Sequence, residues 1–339
     1  MHILPAHKFK ILQMTEIQRD KVPVLVVAFN RADHVEKAMK AVREYKPDKL
    51  YLECDGPRSN KSGEKEAVEQ TRKTMTEAID WQCEVKTLFR EENLGCAFAV
   101  YDAITWFLKH EEWGVIIEDD VIVGQDFFKL CEDILPRYKD ENRIMEVSAQ
   151  NRSMRTDIPN SYVYSLCYHC WGWATWRRAW QLMDMNMEAV NHLNILKLTT
   201  KLGVFQGVMM YYYLKQAKRH LPTFNSWATR WFLSIYEHDG LVLCPGVNLA
   251  INIGTDGGAH YEKGDVNPYR DLKIGSINWP LMYNDIIEQD PVQRLYDIRD
   301  FRRVRAIGMI KKFNKAKKWW GGGYFCTCSK SFFKWFRLS

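Results

Sequence analysis

The 339-residue chain is 46% hydrophobic and 13% aromatic, ample core material for one large α/β domain or two smaller ones, which argues against disorder over most of its length. Its formal net charge of +6 conceals an asymmetry: residues 299–339 carry 12 Lys/Arg against one acid, and the residues before them carry 36 basic and 41 acidic side chains, a net of −5. An acidic body without a nucleic-acid motif speaks against a nucleic-acid-binding fold and leaves the basic C-terminus to be explained separately.

From residue 22 the chain alternates β-rich runs with amphipathic stretches, the pattern of a largely parallel, doubly wound sheet covered on both faces. A strand over Val24 to Phe29 opens it. A helix over Asp33 to Tyr45 follows, with Val35, Met39 and Val42 at helical spacing, then a strand over Leu50 to Cys54. A charged helix is expected from about Gly63 to Trp81, a strand over Glu84 to Phe89, a helix over Gly95 to Lys109 and a strand over Gly114 to Ile117. A helix over Gln125 to Tyr138 leads into a strand over Ile144 to Ser148. Residues 22–150 thus read as a nucleotide-binding half behind an N-terminal extension, residues 1–21. Residues 151–290 form a tryptophan-rich, acceptor-side half, with helices expected at Thr175 to Met183, Leu193 to Leu202, Val208 to His220 and Ser226 to His238. Strands over Leu241 to Cys244 and Asn248 to Ile253 then lead to a Gly-rich loop, Gly254 to His260, and residues 291–339 form the basic, aromatic tail.

The informative segment is Trp113-Gly-Val-Ile-Ile-Glu-Asp-Asp120-Val-Ile-Val. It sets three acids directly after an apolar strand, at the carboxyl edge where open α/β sheets bind ligands. Adjacent carboxylates beside Ile116, Ile117, Val121 and Ile122 are costly to bury unless a cation or a hydrogen-bonding ligand compensates them. Magnesium or manganese does so with one or two protein oxygens, completing its octahedron with water and substrate phosphates. The plainer reading is a set of strand-end acids that cap the following helix or sit in solvent.

Glu118-Asp119-Asp120 followed by Asp126-Phe127-Phe128 resembles the acidic motif of GT-A glycosyltransferases, and most closely that of the N-acetylglucosaminyltransferase I family. Pro23 to Arg31 is similar to that family's first strand and donor loop. The resemblance implies a Rossmann-like GT-A fold and transfer of a sugar from a nucleoside-diphosphate donor, with UDP-N-acetylglucosamine as the first choice. By it, Arg31 would contact the diphosphate or uridine, Asp55 the uracil, Glu118 and Asp119 the ribose side of the donor, and Asp120 the metal, Mn2+ or Mg2+. Glu92-Asn93-Leu94-Gly95 is similar to a loop that brings backbone near the nucleotide, which implicates Asn93 and Gly95. Cys170-Trp171-Gly172-Trp173 resembles a loop beside the donor sugar, implicating Gly172 and Trp173, although large aromatics also serve core packing. Ile253 to His260 is similar to a terminal Gly-rich loop in which His260 would bind metal or diphosphate; a lone histidine is also often structural.

An inverting transfer requires a carboxylate to take the acceptor's proton. In the register of the resemblance that carboxylate falls on Ala228 or Thr229 of Ser226-Trp-Ala-Thr-Arg-Trp231, neither of which is a base. Asp256 is the first substitute, because its glycine neighbours leave room for substrate; Glu237 and Asp239 follow. A donor-binding or scaffold protein without a base is the alternative from another class. A nucleotidyltransferase is disfavoured because Ala28-Phe-Asn-Arg-Ala32 lacks glycine, and neither a G-x-G-x-x-G nor a G-x-S-x-G motif supports a dehydrogenase or hydrolase.

The tail places basic clusters beside Trp319, Trp320, Phe332, Phe333, Trp335 and Phe336, a signature of the bilayer interface. No apolar run approaches the roughly 18 residues of a membrane span, and the N-terminus lacks a secretory pattern. The expectation is a cytoplasmic protein, peripheral on the inner leaflet, whose partners are a nucleotide-sugar donor and a glycan or lipid-linked glycan acceptor. The nine cysteines are expected to be mostly free thiols, and the spacing of Cys167 and Cys170 matches no common zinc finger.

Overall fold

The computed structural model describes residues 21–158, 160–254, 269 and 271–302. A central eight-stranded sheet comprises β1 (Val24–Ala28), β2 (Lys49–Cys54), β3 (Glu84–Phe89), β4 (Trp113–Glu118), β6 (Ile144–Ser148), β7 (Tyr162–Ser165), β8 (Trp173–Trp176) and β9 (Leu241–Pro245). Their spatial order is β3-β2-β1-β4-β8-β6-β9-β7. The β1 to β4 block is parallel throughout, and β6 and β9 are also parallel; β8 runs antiparallel to both β4 and β6, and β7 antiparallel to β9. The fold is mixed α/β around a sheet with more parallel than antiparallel pairs, as the alternation of strands and helices predicts.

Strand side chains alternate between two cores, as the two-residue period requires. Val24, Val26, Val115 and Ile117 pack with helices α1 (Ala32–Tyr45), α2 (Glu64–Glu77) and α4 (Gln125–Arg137). Leu25, Val27 and Ile116 pack on the opposite face with α3 (Cys96–His110) and α8 (Trp227–Glu237). α4 contributes Phe127, Phe128, Leu130, Cys131, Ile134 and Leu135, all fully buried, at roughly 1.5–3 kcal/mol for each large side chain. α6 (Ile195–Leu202) and α7 (Val204–Arg219) pack with α8 around a third cluster that includes Leu198, Leu214 and Leu233.

The first half agrees with the sequence reading within a few residues per element. The second half departs from it. The segment Thr175 to Met183, expected to be one helix, begins as strand β8 and only then forms a short helix α5 (Arg177–Trp180). Alternation rather than helical spacing governs Trp173 and Thr175, since β8 is wedged between two strands and buried on both faces. β7 lies where no strand was expected. A separate ribbon joins β5 (Val121–Val123) to β10 (Ala250–Asn252) in antiparallel register, Asn252 opposite Val121. Residues 291–302 form a further helix, α9, in what the sequence reading takes as tail. Among the described residues no helix is long and apolar enough to cross a membrane.

Candidate functional site

The carboxyl ends of β1, β2 and β4 open into a cleft of about 670 Å3. β4 delivers Glu118 at its last position, and Asp119 and Asp120 form the turn into β5. Arg31 leaves the end of β1 and crosses to them. Its Nη2 donates to Asp119 and, at 2.9 Å, to Asp120 Oδ2, while Nε donates to Asp119 Oδ2 at 3.3 Å. Its Nη1 is buried without a hydrogen-bond partner, so one guanidinium donor remains to be satisfied inside a cleft.

Burial, then Asp120 and Asp119, push the Glu118 carboxyl up, against a smaller downward pull from Arg31. Burial also pushes Asp119 up, and Arg31 pulls it part of the way back. Both upward shifts are the cost of crowding carboxylates in a poorly solvated edge, with Arg31 as the resident counter-cation.

Asp120 is fixed from the far end of the chain. Asn252 Nδ2 donates to Asp120 Oδ1 at 2.8 Å, and the Ile253 backbone N–H donates to the Asp120 carbonyl at 2.8 Å. The β5–β10 ribbon brings these segments together, and Gly254 lies so close that a Cβ there would collide with the Asp120 carboxylate. Asn252 therefore orients the acid that the sequence nominates as a metal ligand. Among the described residues no three His, Cys, Asp or Glu side chains are grouped to hold a metal ion. The residues nevertheless fit a nucleotide-bound divalent cation, which takes only one or two protein carboxylates: Asp120 is anchored, and the unpartnered Arg31 N–H suits a phosphate oxygen.

Asp55 follows β2 and is 5% exposed. Its Oδ1 accepts from Gly56 N at 2.9 Å and Leu94 N at 3.0 Å; its Oδ2 accepts from Asn93 Nδ2 at 2.9 Å and Gly95 N at 3.1 Å. With both oxygens doubly occupied, the carboxylate holds the 93–95 loop against the cleft, and Asn93 and Gly95 line that cleft beside it. Asn225 ties the opposite wall to the same region by accepting from Ala97 N at 2.8 Å.

The tryptophan loop divides. Trp171 lines the cleft. Trp173, nominated beside the donor sugar, is fully buried and stacks on Trp227 at 5.4 Å with further contacts to Trp231 at 5.9 Å and Trp180 at 6.0 Å. It is a core residue: β8 begins at Trp173, and Gly172, in the left-handed region at φ +70°, breaks the strand period between it and Trp171. Gly172, at φ +70°, permits the close approach of Val123 and Ala149 behind the cleft rather than lining it. Arg152, absent from the sequence reading, is held by Gln150 Oε1 at 2.9 Å and lies over the rings of Trp171 at 4.2 Å and Tyr269 at 4.8 Å, which also meet edge to face. Ser226, Trp227 and Ala228 form the wall facing the acids. Glu237 and Asp239 end α8 in ion pairs with His192 and with Lys197 and Lys201. Asp256 and His260 lie outside the described residues.

Neither a family model nor a curated protein matches the chain. Among solved structures, it is similar to HddC from Yersinia pseudotuberculosis (11% identity, 46% of this chain and 77% of that chain, TM-score 0.28). It is also similar to mouse xyloside xylosyltransferase 1 (8%, 65% and 83%, TM-score 0.34) and to the glycosyltransferase GlyE of Streptococcus pneumoniae TIGR4 (15%, 51% and 41%, TM-score 0.26). These likenesses are too slight to add to what the strand order and the cleft show.

Proposed function

We propose that the chain is a metal-dependent glycosyltransferase that takes a sugar from a nucleoside-diphosphate donor, first choice UDP-N-acetylglucosamine, and passes it with inversion to a glycan or lipid-linked glycan. The observation that carries this reading is the acidic turn Glu118-Asp119-Asp120 at a parallel-sheet edge, with Arg31 bridging two of its acids and keeping its buried Nη1 unpartnered. A diphosphate satisfies that donor. Asp119 would then be released toward the ribose and Asp120 toward Mn2+ or Mg2+, with His260 as the second candidate ligand. When bound, the cation neutralises the departing diphosphate. Arg31 adds positive charge at the same place, Asp55 keeps the 93–95 loop in position, and Trp171 and Arg152 border the path toward the acceptor side.

Calorimetry with manganese and UDP tests the reading. The full chain is expected to bind the pair, and Asp120→Asn to weaken binding by about 100-fold, given the usual worth of charged contacts. Equal affinity in the variant would sink it.

Asp256 is our candidate for the base, because its loop departs from Gly254, which abuts Asp120. Asp256→Asn is expected to lower transfer by about 10² to 10⁴ while donor binding persists; unchanged transfer eliminates it. One observation favours a second reading, a donor-binding protein without transferase activity: Ala228 stands on the cleft wall facing the acids. Product analysis of a nucleotide-sugar panel separates the two, since the second predicts binding without products. We also propose that the basic aromatic tail holds the protein at the inner leaflet; roughly 1 kcal/mol per engaged basic residue is expected near anionic lipid.

A further inference from the structure

We infer that the α6–α7 hairpin, together with the outer face of α9, is a second membrane-seating surface that inserts apolar side chains into an anionic bilayer. Leu196 and Val204 are 72% and 75% exposed, and Phe205, Met209 and Tyr212 continue the apolar surface along one face of α7 at i, i+4 and i+7. Ile298 of α9 packs against Gly203, immediately before Val204. Arg294 binds α9 to the end of α6 by donating to the Lys201 carbonyl at 2.9 Å. Val292, Leu295, Arg299 and Arg302, at i, i+3, i+7 and i+10, form the exposed face of α9, with Leu295 62% exposed. The apolar surface therefore runs from the α6–α7 hairpin onto α9, and a contiguous patch of this kind marks an interaction site.

Charge selects the occupant. Residues 195–219 contain five Lys/Arg and no acid. Asp239 and Glu188 pair with three of those lysines, which still leaves the hairpin a surplus of three positive charges. Residues 303–339, which continue from α9, add ten Lys/Arg and no acid. Exposed Leu, Val, Phe and Tyr bordered by unbalanced lysine and arginine match the interface of an anionic membrane. This goes beyond the tail proposal, and the two fail separately, because screening by salt removes charge attraction and leaves apolar insertion.

The test is flotation of the full-length protein with phosphatidylcholine vesicles containing roughly one-quarter phosphatidylglycerol, at low salt and at about 1 M NaCl, where the Debye length is ~3 Å. The wild-type chain is expected to retain a salt-resistant bound fraction. The combined change Val204→Ser, Phe205→Ser and Tyr212→Ser is expected to lower that fraction at least about tenfold, with an unaltered circular dichroism spectrum because the three side chains are exposed. Glutamine at Lys311, Lys312, Lys315, Lys317 and Lys318 is expected to lower only the low-salt binding. A benzophenone side chain placed at position 212 is expected to capture phospholipid. Salt-resistant binding that survives the triple change overturns the inference, as does capture at position 212 of a second copy or of the chain's own tail.

Discussion

The two walls of the cleft solve burial differently. On the wall made by β1, β2 and β4, charge meets charge: Arg31 spans Asp119 and Asp120, and Asp55 accepts four N–H bonds. On the facing wall, α8 presents serine, tryptophan and alanine, and its buried arginine turns inward, where Arg230 donates to the carbonyls of Met185, Phe224 and Ser226 at 2.8–3.0 Å. Behind that wall, four indoles pack on one another. The difference separates tasks: one wall holds electrostatic capacity open for a ligand, and the other spends its polar groups on its own backbone and supplies rigidity.

The largest effect should come from the rigid wall. Trp231→Ala removes a ring that packs on Trp180 at 5.1 Å and the N–H that reaches Glu146 Oε2 at 2.8 Å. A loss of about 3–5 kcal/mol is expected, read from the urea midpoint at unchanged m, with the change confined to stability. A loss below about 1 kcal/mol would break the contrast.

Arg31→Ala probes the charged wall and should cost less in stability, about 2–3 kcal/mol. That lies below the usual figure for a buried pair because the arginine side chain is 27% exposed. UDP affinity is expected to fall at least tenfold in the same protein. A variant that loses stability but binds UDP normally would reassign Arg31 to structure alone.

A third effect, seen only as pH is varied, concerns Glu146, buried behind the indoles and accepting from His169 N at 3.1 Å and from Trp231. Burial pushes its carboxyl up to about 8, from an ordinary 4.5. The folded state therefore keeps a proton that the unfolded state releases, so the contribution is fully present below about pH 4.5 and is lost as pH rises toward about 8. Between pH 5 and 8 this group should lower stability by roughly 3–4 kcal/mol. Chemical denaturation at several pH values should show a shallower decline for Glu146→Gln than for the native chain; parallel curves would remove Glu146 from the account.

The charged wall was largely legible in the sequence, because its residues sit at strand ends whose period is plain: Arg31 after β1, Asp55 after β2 and Glu118 to Asp120 after β4. What escaped is carried by long-range pairing. Asn252 reaches Asp120 only through a ribbon between segments some 130 residues apart, and no local pattern announces that partner. Trp173 was ambiguous for a related reason, since β8 is buried on both faces and an aromatic there looks the same whether it packs or binds. Arg152 gave no signal: its place over Trp171 and Tyr269 depends on chain segments that meet only in the folded molecule.

The insertion of β8 between β4 and β6 also governs how the molecule is made. A nascent chain that has emerged only as far as residue 150 holds both of those strands but not the one that joins them, so each has an unpaired edge. Closing the gap waits for residues 173–176, and anchoring the acidic turn waits for residues 250–252. Such late, distant pairings slow folding. In the finished molecule the edge of β4 is therefore covered, and the acidic turn anchored, only by segments drawn from the second half of the chain.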